Sequence, residues 1–391
     1  MTTCEGAPVI VIAPDSFKES LTASQVCQAI EAGLRHSYPH ARFVHVPMAD
    51  GGEGTVRSLV DATGGQLLQA KVTGPLGEPV QADYGVLGDG VTGVIEMAAA
   101  SGLELVPAHR RDIGSATSRG TGELIRACLD HGVRRIVLGL GGSATNDAGA
   151  GMAQALGARL LDAQGAEVPP GGAALSRLAG IDVSRLDPRL AEVDLDVACD
   201  VTNPLCGPDG ASEVYGPQKG ATPEQVHELD RALGVFANVV ERDLDRQVAS
   251  VPGAGAAGGL GAGLLAFTQA RLRPGVEIVI AHTGLAQAIA RADLVVTGEG
   301  RMDGQTRYGK TPFGVASVAR AAGVPVIAVA GSIGDGVDEL DAYFDAVLPC
   351  LGRVAPLAEV LAEGAENIER TARQVGRLIT LRMPAQQAGP A

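Results

Sequence analysis

Short apolar runs alternate with amphipathic stretches over the first sixty residues of the chain. The run at residues 8–13 predicts a buried strand, and apolar positions at helical spacing predict a helix from Thr22 to His36. A second strand at 42–46 and a second helix at 56–62 follow in the same order. This alternation is typical of a parallel sheet, whose ligands bind at the loops that follow the carboxyl ends of the strands.

The alternation breaks near residue 73 and returns near residue 276. Pro75, Gly77 and Pro79 separate short alternating runs that predict β-hairpins. Apolar runs and amphipathic stretches then alternate again towards residue 382. The later predicted elements are helices at 223–248, 283–291 and 312–322 and strands at 194–200, 293–298 and 324–331.

This arrangement predicts an α/β protein with two domains. One is a discontinuous parallel-sheet domain of residues 1–72 and 276–382, and the other is a mixed α/β domain of residues 73–275 inserted into it. We expect the active site in the cleft between them. The Pro-, Ala- and Gln-rich residues 383–391 predict a disordered tail.

Composition and charge restrict the core and the partners. Gly accounts for 54 of 391 residues and aromatic residues for 3%, so the core must be built from closely packed aliphatic side chains. A net charge of −14 without a Lys/Arg cluster disfavours nucleic acid and anionic membranes. No apolar run is long enough to span a membrane, no leader pattern is present, and the six cysteines are scattered, so we expect a cytoplasmic protein. Monomer and homodimer both stay open.

A glycine-rich turn follows the apolar strand at residues 136–140. It carries Gly142, Ser143, Asn146 and Asp147 and leads into a helix of small residues from about Ala148. Such a turn directs backbone N–H groups, together with the positive end of a helix dipole, at an anion in front of it. The alternative is a tight connection whose glycines only allow two elements to pack closely.

Two other glycine patterns match nucleotide-binding motifs formally. Residues 304–311 fit the P-loop pattern, but five residues separate the preceding strand from the first glycine, and Pro312 removes an N–H from the helix that follows. Gly253, Gly255 and Gly258 fit a dinucleotide fingerprint, yet no strand precedes them. Neither motif therefore defines the function.

Carboxylates and cations recur in glycine-containing loops at predicted strand ends. Several carboxylates that face one site repel each other unless a cation such as Mg²⁺ lies between them, and Lys and Arg side chains would then pair with phosphates. This combination indicates phosphoryl transfer. The residues concerned are Asp15, Ser16, Lys18, Asp50, Glu53, Asn146, Asp147, Asp200, Asn203, Glu299, Arg301, Asp303 and Lys310.

Taken together, these segments resemble the type-1 glycerate kinases. The similar segments are APDSFKESLTA (13–23), DGGEGT (50–55), GGSATNDAGAGM (141–152), CDVTNPL (199–205), GPQKGA (216–221), PGAGAAGGLG (252–261) and TGEGRMDGQTRYGKTPFGVA (297–316). The resemblance implies a flavodoxin-like discontinuous domain, an inserted domain, and ATP- and Mg²⁺-dependent phosphorylation of D-glycerate, most often on its 2-hydroxyl.

We assign expected roles on this basis. Lys18 and the turn at Gly142, Ser143 and Asn146 hold phosphate, and Arg301 or Lys310 neutralises charge on the transferred group. Ser16, Glu53, Asn203 and Glu299 complete the substrate-binding set. The carboxylates that bind Mg²⁺ or accept the hydroxyl proton are Asp50, Asp147, Asp200 and Asp303, with Asp200 and Asp303 as the metal candidates.

Several alternatives stay open from the sequence. The substrate carboxylate would meet Arg301 or the amides of residues 50–55. An NAD-dependent dehydrogenase of a small hydroxy acid and a non-catalytic metabolite sensor are compatible with the same scaffold. The 2-phosphate and 3-phosphate products are not distinguished either.

Overall fold

The structure is a computed structural model that describes residues 7–381 of an α/β protein. The predicted tail at 383–391 lies outside the described residues. The strands are β1 (Val9–Ile12), β2 (Arg42–His45), β3 (Gln66–Thr73), β4 (Pro79–Val86), β5 (Thr92–Glu96), β6 (Arg135–Gly139), β7 (Arg159–Asp162), β8 (Leu178–Asp182), β9 (Asp194–Ala198), β10 (Arg271–Arg273), β11 (Leu294–Met302), β12 (Val326–Ile333) and β13 (Ala346–Pro349).

Each helix predicted above is observed close to its predicted bounds, while others, such as Arg119–Asp130, were not predicted. The α-helices are α1 (Ala23–Arg35), α2 (Thr55–Thr63), α3 (Ala98–Ser101), α4 (Arg119–Asp130), α5 (Ala150–Ala155), α6 (Ala211–Tyr215), α7 (Pro223–Leu244), α8 (Ala256–Phe267), α9 (Gly275–Thr283), α10 (Leu285–Ile289), α11 (Thr311–Ala321), α12 (Leu357–Ala362) and α13 (Gly364–Ile379). Local chemistry sets the helix starts: Thr22 and Gln25 form a reciprocal capping box before α1, and Thr222 and Gln225 form another before α7.

The chain divides into two compact units. The first unit comprises the described parts of residues 1–48 and 283–391, and the second unit comprises residues 49–282. The sequence prediction placed the changes at 72/73 and 275/276 instead. Residues 49–72 pack with the second unit because β3 pairs along its whole length with β4. The predicted cleft between two domains stays a prediction.

The first unit contains a parallel five-stranded sheet in the order β13-β12-β11-β1-β2. When its strands are numbered along the chain, this is the 2-1-3-4-5 order of flavodoxin-like sheets, in which ligands bind where β1 meets the third strand. That position is the β1–β11 pair, with Ile10 opposite Leu294. α1 packs on α13 so closely that a Cβ on Gly33 would lie 2.3 Å from the Glu369 carbonyl oxygen.

The second unit contains a six-stranded mixed sheet in the order β10-β9-β6-β5-β4-β3. β5, β6, β9 and β10 run parallel, while β3, β4 and β5 pair antiparallel as the predicted hairpins require. Because Glu96, Gly139, Ala198 and Arg273 lie side by side in register, the four parallel strands end at one edge. A separate antiparallel pair, β7 and β8, was not predicted.

The glycines of residues 253–263 serve close packing. A Cβ on Gly258 would lie 1.9 Å from the Thr145 carbonyl oxygen, and one on Gly263 would lie 2.4 Å from that of Ala148. The start of α8 therefore presses directly on the turn after β6. This contact explains the formal dinucleotide fingerprint without a nucleotide.

Neither a membrane-spanning helix nor a disulfide occurs among the described residues 7–381. No helix there combines the length and the apolar character needed to cross a membrane. The cysteines there are free thiols: Cys27, Cys128, Cys199, Cys206 and Cys350.

Candidate active site

The first polar cluster lies where β1 meets β11. Asp15 follows β1, and its carboxylate accepts hydrogen bonds from the Ser16 N–H (2.6 Å) and from the Thr311 hydroxyl (2.6 Å). Thr311 is the first residue of α11, so this bond joins the loop after β1 to the start of the helix after β11. Ser16 thus lies at the topological switch point, where ligands of this sheet type bind.

Glu299 and Lys310 form an ion pair beside the N-terminus of α11. Lys310 Nζ lies 3.5 Å from the Glu299 carboxylate, which also accepts a hydrogen bond from the Thr306 hydroxyl (2.8 Å). Lys310 occupies the N-cap position of α11. A cation at a helix N-terminus is repelled by the positive end of the helix dipole. The two positive charges together attract an anion, so the position favours anion binding.

Arg301 and Asp303 form a second ion pair on the same edge of the sheet. Arg301 Nε lies 3.2 Å from one carboxylate oxygen of Asp303, and the other oxygen accepts the Gln305 N–H at 3.0 Å. The Arg301 side chain is 65% exposed, whereas that of Asp303 is 17% exposed. Lys18 is exposed in the loop that packs against Gly300. Arg301 and Lys18 are therefore the accessible cations of this cluster.

In the second unit, Asp50 and Asp200 come close enough to interact electrostatically. Asp200 follows β9, and its carboxylate accepts the Gly275 N–H at 2.9 Å; Asp50 accepts the Gly52 N–H at 3.0 Å. Asp200 is exposed as a whole residue, yet desolvation of its carboxyl group raises its pKa, and the negative charge of Asp50 raises it further. A divalent cation or a proton would relieve this repulsion.

Asp50 owes its position to glycine contacts. The loop at residues 50–54 lies against β6 and β9, since a Cβ on Gly139 would lie 2.2 Å from the Gly51 carbonyl oxygen. Gly275 approaches equally closely, because its Cβ would lie 1.8 Å from the Asp50 carbonyl oxygen. Only glycine permits such approaches of one backbone to another.

Glu96, which the sequence argument missed, occupies the N-terminus of α2. Its carboxylate accepts the Val56 N–H at 2.8 Å, and the amides of Gly54 and Thr55 also favour its charged form. Burial nevertheless raises its pKa, helped by the negative charge of exposed Glu53. The amides at the start of α2 therefore face a protein carboxylate, and the expectation that Arg301 or the amides of residues 50–55 meet the substrate carboxylate stays a prediction.

Asp147 is fully buried in the turn after β6. Its carboxylate accepts hydrogen bonds from the Ser118 N–H (2.8 Å) and hydroxyl (2.9 Å) and from the N–H groups of Gly149 (3.1 Å) and Gly151 (3.2 Å). Burial raises its pKa, and these donors oppose the rise. With its oxygens bound to the protein, Asp147 fixes the starts of α4 and α5. This geometry does not support the predicted catalytic role.

A buried lysine from residues 216–221, which was not predicted as a site residue, donates hydrogen bonds to the same turn. Lys219 is 2% exposed, and its Nζ donates to the Ser143 hydroxyl oxygen (2.8 Å) and to the Thr145 carbonyl (2.8 Å). Burial lowers its pKa from 10.5 to about 7, while the negative charge of Asp147 opposes that shift. The only sequence signal was its position in GPQKGA, away from any strand end.

The two predicted asparagines are bound by neighbouring side chains. The Asn146 amide donates to the Ser212 hydroxyl at 2.9 Å, and its buried Oδ1 has no hydrogen-bond partner among the described residues. Asn203 accepts the Tyr215 hydroxyl (2.6 Å) and donates to the Asp209 carbonyl (2.8 Å). Asn203 thus holds its loop in shape.

The predicted site residues therefore form two groups. The first unit contains Ser16, Lys18, Glu299, Arg301, Asp303 and Lys310, and the second contains Asp50, Glu53, Gly142, Ser143, Asn146, Asp147, Asp200 and Asn203. Within residues 7–381, no three His, Cys, Asp or Glu side chains are grouped so that they could hold a metal ion. Mg²⁺ commonly takes one or two carboxylates together with phosphates and waters, so the Asp50–Asp200 pair fits it chemically.

A parallel-sheet edge with accessible cations and a second edge with paired carboxylates are the parts of a phosphotransferase of the α/β class. The chain matches the Glycerate kinase family over residues 10–380. It is 54% identical over 367 residues to a glycerate kinase of Halalkalibacterium halodurans (94% of this chain, 97% of the relative). It is 53% identical over 375 residues to the glycerate 2-kinase of Escherichia coli (96% and 98%).

A solved structure agrees with these relatives. The crystal structure described as glycerate kinase 2 from Salmonella typhimurium LT2 superposes with a TM-score of 0.89 at 53% identity, covering 96% of this chain and 98% of that one. The chain belongs to the glycerate kinase family. The resemblance seen in the sequence is confirmed, and so is the prediction of a phosphotransferase.

Proposed function

We propose that this protein transfers the γ-phosphoryl group of ATP to the 2-hydroxyl of D-glycerate. The observation that carries this proposal is the family match over residues 10–380, joined by relatives such as the Escherichia coli protein named glycerate 2-kinase. The two polar clusters supply the chemistry that such a reaction needs. The predicted cytoplasmic location and the oligomeric state stay predictions.

We assign the nucleotide phosphates to the first unit. Lys18 and Arg301 are accessible cations at the switch point, and Lys310 lies at the N-terminus of α11. The Glu299 carboxylate keeps Lys310 near that helix end until a more highly charged phosphate competes for it. Ser16 lies beside them on the loop after β1. In phosphoryl transfer such groups act by positioning and by neutralising charge on the transferred group.

We assign the reacting hydroxyl to the Asp50–Asp200 pair. The raised pKa of Asp200 makes its carboxylate a better proton acceptor than an ordinary aspartate, so Asp200 is the candidate base, and Asp50 accounts for part of that rise. The same pair would hold Mg²⁺, which would supply positive charge to offset the negative charges of the reactants. Asp303 is a weaker metal candidate because Arg301 and the Gln305 N–H engage its oxygens.

We assign an oxyanion of the substrates to the turn after β6. Gly141 and Gly142 are exposed there, while Ser143 is almost buried behind them. The oxyanion is either the glycerate carboxylate or a phosphate of ATP, since both present the same negatively charged oxygens to N–H and O–H donors. Asp147 and Asn203 act as scaffolding of the neighbouring loops.

The test is ADP release from Mg-ATP on addition of D-glycerate, followed by an enolase-coupled assay. Enolase converts 2-phosphoglycerate directly to phosphoenolpyruvate, so immediate formation of phosphoenolpyruvate supports transfer to the 2-hydroxyl. ADP release without that signal would show transfer to the 3-hydroxyl. Binding of D-glycerate without ADP release would indicate a sensor, and an absorbance change with NAD would indicate a dehydrogenase; either result refutes the proposal.

A further inference from the structure

Lys219 lies directly behind the turn that carries Ser143. It is 2% exposed, and its Nζ makes two hydrogen bonds to that turn, at Ser143 Oγ and at the Thr145 carbonyl oxygen. A buried cation is costly for the fold unless something compensates for it. The charge on Asp147 is one such compensation, and a negatively charged ligand at the turn would be another.

The direction of the Lys219–Ser143 bond determines what the serine can do. The Thr145 carbonyl can only accept, so Lys219 donates to it; when Lys219 is protonated its ammonium group has no acceptor, and the Ser143 oxygen then accepts the other bond. A bound oxyanion favours this protonated form of Lys219. The Ser143 hydroxyl hydrogen is then left for another acceptor. Within residues 7–381 no protein group accepts a hydrogen bond from the Ser143 hydroxyl.

The rest of the turn is held in place around this serine. The Ala144 N–H donates to the Ser101 carbonyl (2.9 Å), and the Leu103 N–H donates to the Gly142 carbonyl (2.8 Å). Ala148 has a φ of 52°, a left-handed conformation that is uncommon for alanine, and the start of α8 presses on it. Non-glycine residues in such conformations cluster at functional sites because the surrounding structure enforces them.

We propose that Lys219 is a positioning residue that turns the Ser143 hydroxyl towards an oxyanion of the substrates. Lys219 is too deeply buried to contact a substrate, so it acts through Ser143 and through the fixed Thr145 carbonyl. This inference rests on the proposed function, because it assumes that the turn receives the glycerate carboxylate or a phosphate of ATP.

The test is a double-mutant cycle in the full-length protein. Lys219→Met removes the donor and the charge at similar length, Ser143→Ala removes the hydroxyl, and the double variant removes both. Kinetic constants for D-glycerate and for Mg-ATP are measured separately, and affinities are measured by titration calorimetry, which does not require turnover. Ser143→Thr and Lys219→Gln keep a hydroxyl and a donor and serve as conservative variants. Gln218→Ala, at an exposed neighbour of Lys219, is the matched control.

The expected result is a 10- to 100-fold rise in KM or Kd for one of the two substrates in each single variant, about the effect of one hydrogen bond to a charged group. The substrate whose affinity falls identifies the oxyanion. The double variant should bind no more weakly than Ser143→Ala, and the two conservative variants should recover much of the loss. The Gln218→Ala control should match wild type.

Three outcomes would overturn the inference. They are additive losses in the double variant, equal losses for both substrates, or a normal KM in Ser143→Ala. If Lys219→Met does not fold, Ser143→Ala and Lys219→Gln report on the same bond. If wild type shows no turnover of D-glycerate, the proposed function fails, while the calorimetric cycle still decides whether Lys219 acts through Ser143.

Discussion

The buried ammonium of Lys219 predicts an unusual dependence of stability on pH. Burial lowers its pKa from 10.5 to about 7. At roughly 1.4 kcal/mol per pKa unit, the charged form costs the folded state about 5 kcal/mol relative to the neutral amine. Between pH 7 and 10.5 the unfolded chain therefore holds a proton that the folded chain has released. Stability contributed by this group must rise with pH through that window.

The perturbation is Lys219→Met, and the quantity is the difference in free energy of unfolding between wild type and variant. We expect this difference to be flat below pH 7 and to shift by about 3 to 4 kcal/mol in favour of wild type between pH 7 and 10, since one proton gives a slope of at most about 1.4 kcal/mol per pH unit. Urea denaturation at fixed pH steps measures it. Groups that titrate alike in both proteins cancel.

Lys71→Met is the control, because it removes a lysine from the exposed side of β3. Comparing the two differences separates burial of the ammonium from the mere loss of a cation. A Lys219→Met difference that stays constant from pH 7 to 10, or that moves against wild type, would refute the reasoning. It would mean that Lys219 keeps its proton in the fold over this range.

Three more perturbations test the assigned roles. Asp147→Asn places an amide NH₂ among the donors of Ser118, Gly149 and Gly151, so urea denaturation should show a loss of about 2 to 3 kcal/mol, and unchanged stability would argue against the scaffold role. Asp200→Asn should lower kcat by about 100-fold or more because it removes the candidate base, and the unfolding midpoint should not fall because the change also relieves repulsion with Asp50; near-normal kcat would refute that assignment. Gly258→Ala places a Cβ 1.9 Å from the Thr145 carbonyl oxygen at a φ of 69°, so the melting temperature should fall markedly. Gly234→Ala is the control because its Cβ meets no atom within 4 Å, and equal melting temperatures of the two variants would contradict the packing argument.

Hydrophobic periodicity predicts most of the fold because it depends on local sequence. The helix from Thr22 is observed with Thr22 as its cap, and the first two strands are close to their predicted bounds. β7 and β8 were missed because their short runs carry weak alternation and pair only with each other. The observed unit boundaries differ from the predicted ones because β3 pairs with β4, and local sequence patterning does not specify that pairing.

Local sequence also identifies the residues of the candidate site only in part. Residue type and strand-end position select Asp200 and Asp147 equally well, but packing separates them: Asp200 is an exposed residue with a partly desolvated carboxylate, whereas Asp147 is fully buried and its carboxylate is enclosed by four donors. Lys219 and Glu96 were missed because their importance lies in what they contact across the fold. A sequence lists chemical groups, whereas solvent access and hydrogen-bond saturation arise only from tertiary packing.

The packing of α1 on α13 has a consequence for the order of events during synthesis. Strands β1 and β2 are synthesised long before β11, β12 and β13, which complete their sheet. The partner helix of α1, α13, is synthesised later still. At roughly 5 to 20 residues per second, the delay is on the order of 10 to 50 s. Through that interval the α1 face that packs on α13 and the β1 edge that pairs with β11 lack their partners, so the amino-terminal segment completes its packing only after the last strands and α13 have been synthesised.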